Sequence, residues 1–169
     1  IKLYGAHPLE HDVITQVEGS FAETVRGMGN IKNVTGIGGK PQSSYIAIRI
    51  PIAKENHQNL SDIIRFLVPL RPDRIILSFK DVGLSMRQAV PFVKDAIDMG
   101  LANMIWTFTE NIPLCLMQGF EHHVSEAYIV SEGTSQACPE SLDKVYPEQR
   151  RGTRDKLRRR NGTCKKCAY

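Results

Sequence analysis

The residues best suited to metal or nucleophile chemistry are crowded toward one end of the chain. Of the four cysteines, Cys138, Cys164 and Cys167 fall in the last 32 residues, and Cys164 and Cys167 form a C-x-x-C pair. That spacing presents two thiols to one metal, and the flanking Lys165 and Lys166 favour the thiolate. Two ligands do not close a site. Cys138 is the candidate third, and a fourth would have to come from residues beyond Tyr169. The alternative is a solvated tail with no metal. Cys115 sits in an apolar run and is expected to be a buried, inert thiol. His122 and His123 are adjacent, which suits surface histidines better than a ligand pair. His11 and Asp12 form a second polar pair, expected in a loop, where Asp12 can cap the following turn and His11 can bond locally.

Charge is as uneven as the cysteines. The chain of 169 residues carries a net +4, but residues 144–169 hold ten Lys/Arg against two Asp/Glu. The rest is mildly acidic, with twelve against sixteen. A basic tail is either a solvated extension or a phosphate contact. Composition is that of an ordinary globular domain, 41% hydrophobic and 24% charged. No apolar run approaches the roughly 18–20 residues that cross a bilayer, so no membrane partner is expected. Few cysteines, clustered rather than spread, suit a cytosolic metal site more than a disulfide framework, so a cytoplasmic location is expected.

The elements that would position these groups alternate. Ile1–Gly5 reads as a buried strand ending in glycine. Ser20 and Glu23 form an S-x-x-E capping box that opens a helix with Phe21, Val25 and Met28 on one face. Thr35–Lys40 is a turn-rich loop, too loose for a phosphate-binding fingerprint. Ser44–Ile50 is a second strand, and Pro51 limits its end. Leu60, Ile63, Ile64 and Leu67 give the spacing of an amphipathic helix that Pro69 and Pro72 stop, and Asn56 caps its entry. Arg74–Phe79 is a third strand, nearly continuous in hydrophobicity, as a buried parallel strand should be. A helix over residues 91–99 buries Phe92, Ala96 and Met99, with Pro91 in its first turn and Gly100 as its end. Met104–Phe108 is a further strand. This alternation predicts an α/β architecture with a parallel sheet. Residues 111–120 read as an extended segment, Tyr128–Val130 as a short edge strand, and residues 150–160 as one basic helix.

The order of these motifs resembles the radical S-adenosylmethionine superfamily. Leu3-Tyr4-Gly5, then His11-Asp12, then Gly19-Ser20-Phe21 with Thr24 and Gly27, looks like a barrel strand, HD loop and G-S/T-F helix start of that family. Ile50 through Lys54, Asn56 and Leu60 resembles its next strand and N-x-x-x-L helix entry. Arg74–Phe79 resembles its sixth strand. Ile112-Pro113-Leu114-Cys115-Leu116 with Gly119-Phe120-Glu121 resembles an N-I-P-x-C-L segment after the barrel, and Cys164–Tyr169 the start of a C-x-x-C-x-Y tail. The family's C-x-x-x-C-x-x-C motif and its G-G-E segment are not in this sequence.

The resemblance implies strands four to six of a six-stranded partial (β/α) barrel in residues 1–110, with Ile1–Gly5 as the fourth. Residues 111–169 would be an irregular post-barrel extension with the basic tail and C-x-x-C. The chain is then expected to be a fragment, lacking neighbouring sequence at both ends and inactive alone. The implied cofactors are S-adenosylmethionine and a [4Fe–4S] cluster with ligands outside this chain, plus an auxiliary iron–sulfur cluster on Cys138, Cys164 and Cys167. The implied reaction is reductive cleavage of S-adenosylmethionine to a 5′-deoxyadenosyl radical that takes a hydrogen atom from an unidentified substrate, a peptide being one class the family allows. Tyr4, Arg49 and Ser78 are the candidate cofactor-binding residues, at or near the C-terminal ends of strands, where such barrels place their sites. Arg49 could pair with the methionyl carboxylate; a surface arginine is the plain alternative for it, and core packing for Tyr4 and Ser78. A competing reading is a small α/β binding module whose basic C-x-x-C tail contacts nucleic acid.

Overall fold

Strands in this chain pair in the order in which they are made. The computed structural model describes residues 1–32, 45–80 and 83–125. Within them, β1 (Ala47–Ile52), β2 (Arg74–Phe79) and β3 (Thr107–Glu110) form an open parallel sheet in the order β1-β2-β3. The register runs from Ala47 opposite Arg74 to Ile52 opposite Phe79, and from Ile75 opposite Thr107 to Ser78 opposite Glu110. Single parallel bridges extend both edges, Lys2 to Arg49 and Val124 to Thr109. The chain divides into two units, Ile1–Ala127 and Tyr128–Tyr169, and the described residues belong to the first. Tyr128–Val130, Thr35–Lys40, residues 150–160 and the three tail cysteines lie outside the described residues.

Four helices accompany the strands: α1 (Pro8–Thr15), α2 (Ser20–Lys32), α3 (Leu60–Leu67) and α4 (Met86–Ala102). Period-two alternation sends Ile48, Ile50 and Ile52 of β1, Ile75, Leu77 and Phe79 of β2, and Thr107 and Thr109 of β3 to one face, all buried. Helix α3 answers with Leu60, Ile63, Ile64 and Leu67, each fully buried. Eight residues make too short a helix to persist alone, so this burial is what holds α3. Helices α3 and α4 pack together, and Phe21 of α2 meets Phe66 of α3 with ring centroids 5.5 Å apart.

Several elements depart from the sequence expectation. His11 and Asp12 lie on helix α1, not in a loop. The start of α2 is capped by Asp12, whose carboxylate accepts the N–H groups of Gly19 and Phe21, both at 2.8 Å, and the Ser20 hydroxyl. The expected pairing of Ser20 with Glu23 does not form: Ser20 is engaged by Asp12, and Glu23 turns outward to Arg26. A reciprocal cap occurs instead at α4, where the Ser85 N–H donates to Gln88. Helix α4 is longer than expected at both ends, so Pro91 lies inside it, on an exposed side. Phe92 and Met99 are only partly buried; Val93, Ala96 and Ile97 take the core positions. Gly100 does not end α4 but lets it approach the sheet: a Cβ there would lie 2.2 Å from Thr107 Oγ1. The last strand begins at Thr107 rather than Met104, because Met104 adopts a left-handed conformation (φ 58°) and is exposed. Residues 111–120 are not simply extended: Leu114–Leu116 is a 3-10 turn.

Pro51 gives the most instructive departure. It lies inside β1, which continues to Ile52. Arg49 uses its N–H and carbonyl toward the edge segment, bonding Ile1 and Leu3. Alternation points Pro51 the same way, so its missing N–H interrupts only that outer ladder, while Ile48, Ile50 and Ile52 face β2. Ile1–Gly5 therefore makes a single bridge rather than a full strand. Asn56 replaces the lost bond: its Nδ2 donates to both Tyr4 O (2.8 Å) and Pro51 O (2.9 Å), while its Oδ1 accepts the Ala53 N–H at 2.8 Å.

Candidate functional site

The opposite face of the same sheet is where polar groups collect. The register places Lys2, Arg49, Ile76 and Phe108 in one row across the strands, and Pro51, Ser78 and Glu110 in the next row toward the C-terminal ends. Of the three residues expected at strand ends, Arg49 and Ser78 are thus brought to one face, while Tyr4 lies past the single Lys2–Arg49 bridge with its ring against His11. Ser78 lies in the end row. Arg49 does not: its backbone is mid-strand, third of the six residues of β1. Its side chain makes up the difference, reaching across β2 to Glu110, Nη2 to Oε1 at 3.1 Å. The two side chains are 45% and 20% exposed, so the pair is partly screened by water.

Tyr4, His11, Asp12 and Ser78 are each held differently. The Tyr4 backbone is fixed twice, its N–H donating to His11 Nδ1 at 3.1 Å and its carbonyl accepting from Asn56. The His11 ring is buried edge-on between the Tyr4 and Phe21 rings, with centroids 5.6 and 5.7 Å away. Burial pushes the His11 pKa below its ordinary 6.5, against the opposing pull of Asp12. Accepting the Tyr4 N–H requires Nδ1 to be unprotonated, which agrees with that direction. Desolvation pushes the Asp12 carboxyl up, but hydrogen bonds from Ser20, Phe21 and Gly19, with the nearby His11, outweigh it and hold the pKa below the usual value. Both residues therefore serve the backbone, as capping and local bonding predict. Ser78 is 3% exposed, and its hydroxyl has no hydrogen-bond partner among the described residues.

The N-terminal end of this face is aromatic. The Arg74 guanidinium lies 5.8 Å from the Tyr45 ring and 5.6 Å from the Phe108 ring, and Trp106 stacks on Phe108 at an interplanar angle of 9°. Tyr45 and Trp106 remain 62% and 67% exposed.

The metal candidates divide between what can be placed and what cannot. Cys138, Cys164 and Cys167 lie outside the described residues. Cys115 is exposed rather than buried, because the 3-10 turn that carries it turns Ile112 and Met117 inward instead. His123 Nδ1 lies 2.8 Å from Thr107 O, binding its turn to β3, and His122 is exposed. Among the described residues no three His, Cys, Asp or Glu side chains group as metal ligands. A [4Fe–4S] cluster does not fit on them. Among the described residues, no helix is long and apolar enough to cross a membrane.

Glu110 was not singled out by sequence. It is the last residue of β3, two residues past the Met104–Phe108 strand that the sequence predicts, so its end-row position is visible only once the register is known. Asn56 was assigned to a helix entry, and its role as a clamp between strands depends on Pro51, a link that spacing alone does not reveal. The chain matches no protein-family model, no curated protein and no solved structure.

Proposed function

We propose that this chain is part of a radical S-adenosylmethionine enzyme and that the face of its sheet that carries Arg49, Ser78 and Glu110 forms one wall of the cofactor site. One observation carries this reading: the register brings Arg49 and Ser78, two candidates on different strands, onto a single face, and the Arg49 side chain reaches Glu110 in the C-terminal end row. Two features lend support. Strands added in sequential order, with the strand face turned to the helices buried, are what a (β/α) barrel wall requires. Parallel sheets are normally covered on both sides, and on the second face Arg49, Arg74 and Trp106 are exposed among the described residues.

The donor set fits the methionyl part of S-adenosylmethionine. Arg49 offers a planar fork of donors of which only Nη2 is engaged among the described residues, and such a fork suits a carboxylate. Ser78 supplies a buried hydroxyl in need of a partner. The cluster, by contrast, would have to be ligated by polypeptide beyond the described residues. When bound, these cofactors would supply a 5′-deoxyadenosyl radical able to take a hydrogen atom from a substrate; the residues here would orient the ligand and exclude water.

The reading is tested on the natural full-length polypeptide, purified anaerobically. About four iron and four sulfide per chain, or more if an auxiliary cluster is held, are expected. Adding S-adenosylmethionine should then perturb the electron paramagnetic resonance signal of the reduced cluster. Protein without iron, or a signal that S-adenosylmethionine leaves unchanged, contradicts it.

A further inference from the structure

Resting on the assignment of the open face to S-adenosylmethionine, we infer that Glu110 is a positioning residue, fixing the Arg49 guanidinium where it and the Ser78 hydroxyl meet the ligand's carboxylate. The Arg49 backbone sits one row short of the strand ends, level with Ile76 and Phe108. An arginine side chain of many rotamers would not hold one position there unaided. Glu110, in the end row on β3, draws it across β2 toward that row through the 3.1 Å contact.

The contact is a single hydrogen bond, from Nη2 to Oε1, so the rest of the guanidinium's donors remain for a ligand. Beneath the path of the pair, in the row between Pro51 and Glu110, lies Ser78, almost fully buried and with no hydrogen-bond partner among the described residues. Buried hydroxyls are normally bonded, and one without a partner among the described residues, on a face whose guanidinium is only half-used among them, suits donation to a ligand oxygen. A carboxylate matches both groups: it accepts from the fork and from the hydroxyl. An exposed ion pair adds little to stability, so the consequence of the pair is geometric.

Isothermal titration of the full-length holoprotein with S-adenosylmethionine and with its decarboxylated analogue isolates the carboxylate contact. Wild type is expected to prefer S-adenosylmethionine by roughly tenfold or more. Glu110→Gln should cut that preference severalfold while leaving affinity for the decarboxylated analogue unchanged. Arg49→Ala should abolish the preference, and Arg49→Lys, which keeps charge without the fork, should retain part of it. Glu110→Asp, with the carboxylate drawn back by one methylene, should fall between wild type and Glu110→Gln and serves if the glutamine variant fails to fold. An undiminished preference in Glu110→Gln, or no preference in wild type, overturns the inference while leaving S-adenosylmethionine binding intact. Failure of wild type to bind either compound overturns the assignment of the face itself, and the inference with it.

Discussion

The two faces of β1, β2 and β3 are made from alternate residues of the same short segments, yet they differ in almost every respect. The helix-side face is isoleucine, leucine, phenylalanine and threonine, all buried, and α3 and α4 close over it. The other carries Arg49, Ser78, Glu110, Arg74, Phe108 and Trp106, and parts of it meet solvent. The comparison teaches a division of labour at single-residue spacing. Fold stability resides on one side of each strand, and the groups capable of recognition reside on the other. Substitutions on the two faces should therefore separate stability from binding.

The largest effect is expected on the helix side. Leu77 is fully buried among α3 and α4, so Leu77→Ala should cost about 2–5 kcal/mol in urea unfolding, from lost transfer energy and the cavity left behind. A cost below about 1 kcal/mol would mean that this face is not the core. Asn56 comes next. It ties the N-terminal segment to β1 where Pro51 cannot, so Asn56→Ala leaves buried backbone groups unsatisfied and should cost about 1–3 kcal/mol. Hydrogen exchange at the Leu3 amide, bonded to Arg49 O, should accelerate well beyond that of the β2 amides. Equal acceleration throughout the sheet would contradict a local clamp.

A smaller effect is expected from pH. The folded His11 pKa lies below the ordinary 6.5, so the unfolded chain binds the extra proton first on acidification. The associated stability is fully present above pH 6.5 and is lost as pH falls toward the folded value. Replacing His11 by glutamine, which can still accept the Tyr4 N–H, should flatten this part of the profile. A wild-type midpoint that is constant from pH 7 down to pH 5 would remove the basis for a neutral, buried His11. The smallest effect belongs to the open face. Arg49→Ala should change stability by less than about 1 kcal/mol, since its partner is reached across a partly solvated surface. A loss as large as that of Leu77→Ala would place Arg49 in the structural half of the molecule.

What the sequence discloses tracks how local the determining physics is. The core of α3 follows from the spacing of Leu60, Ile63, Ile64 and Leu67, and β2 from an unbroken apolar run; both appear with the expected residues. Where a long-range partner decides, local rules mislead. Ser20 has a capping-box sequence, but Asp12, eight residues earlier, supplies the stronger acceptor. Gly100 looks like a helix stop, yet it is the point where α4 touches Thr107. Pro51 looks like a strand end, but its missing donor faces the outer edge. For Arg49 and Ser78 the sequence discloses only proximity to strand ends. Their common face, and Glu110 beside them, require the parity of each strand and the offsets between strands. Those depend on how the helices seat against the sheet.

The measurement that bears most directly on the proposed role of the open face is formation of 5′-deoxyadenosine by the anaerobic, full-length protein supplied with S-adenosylmethionine and dithionite. Wild type is predicted to release it, and Arg49→Ala, folded and with the same iron content, to release it much more slowly at limiting S-adenosylmethionine. No 5′-deoxyadenosine from cluster-loaded wild type, or the same rate from Arg49→Ala across all concentrations of S-adenosylmethionine, would contradict the assignment of this face.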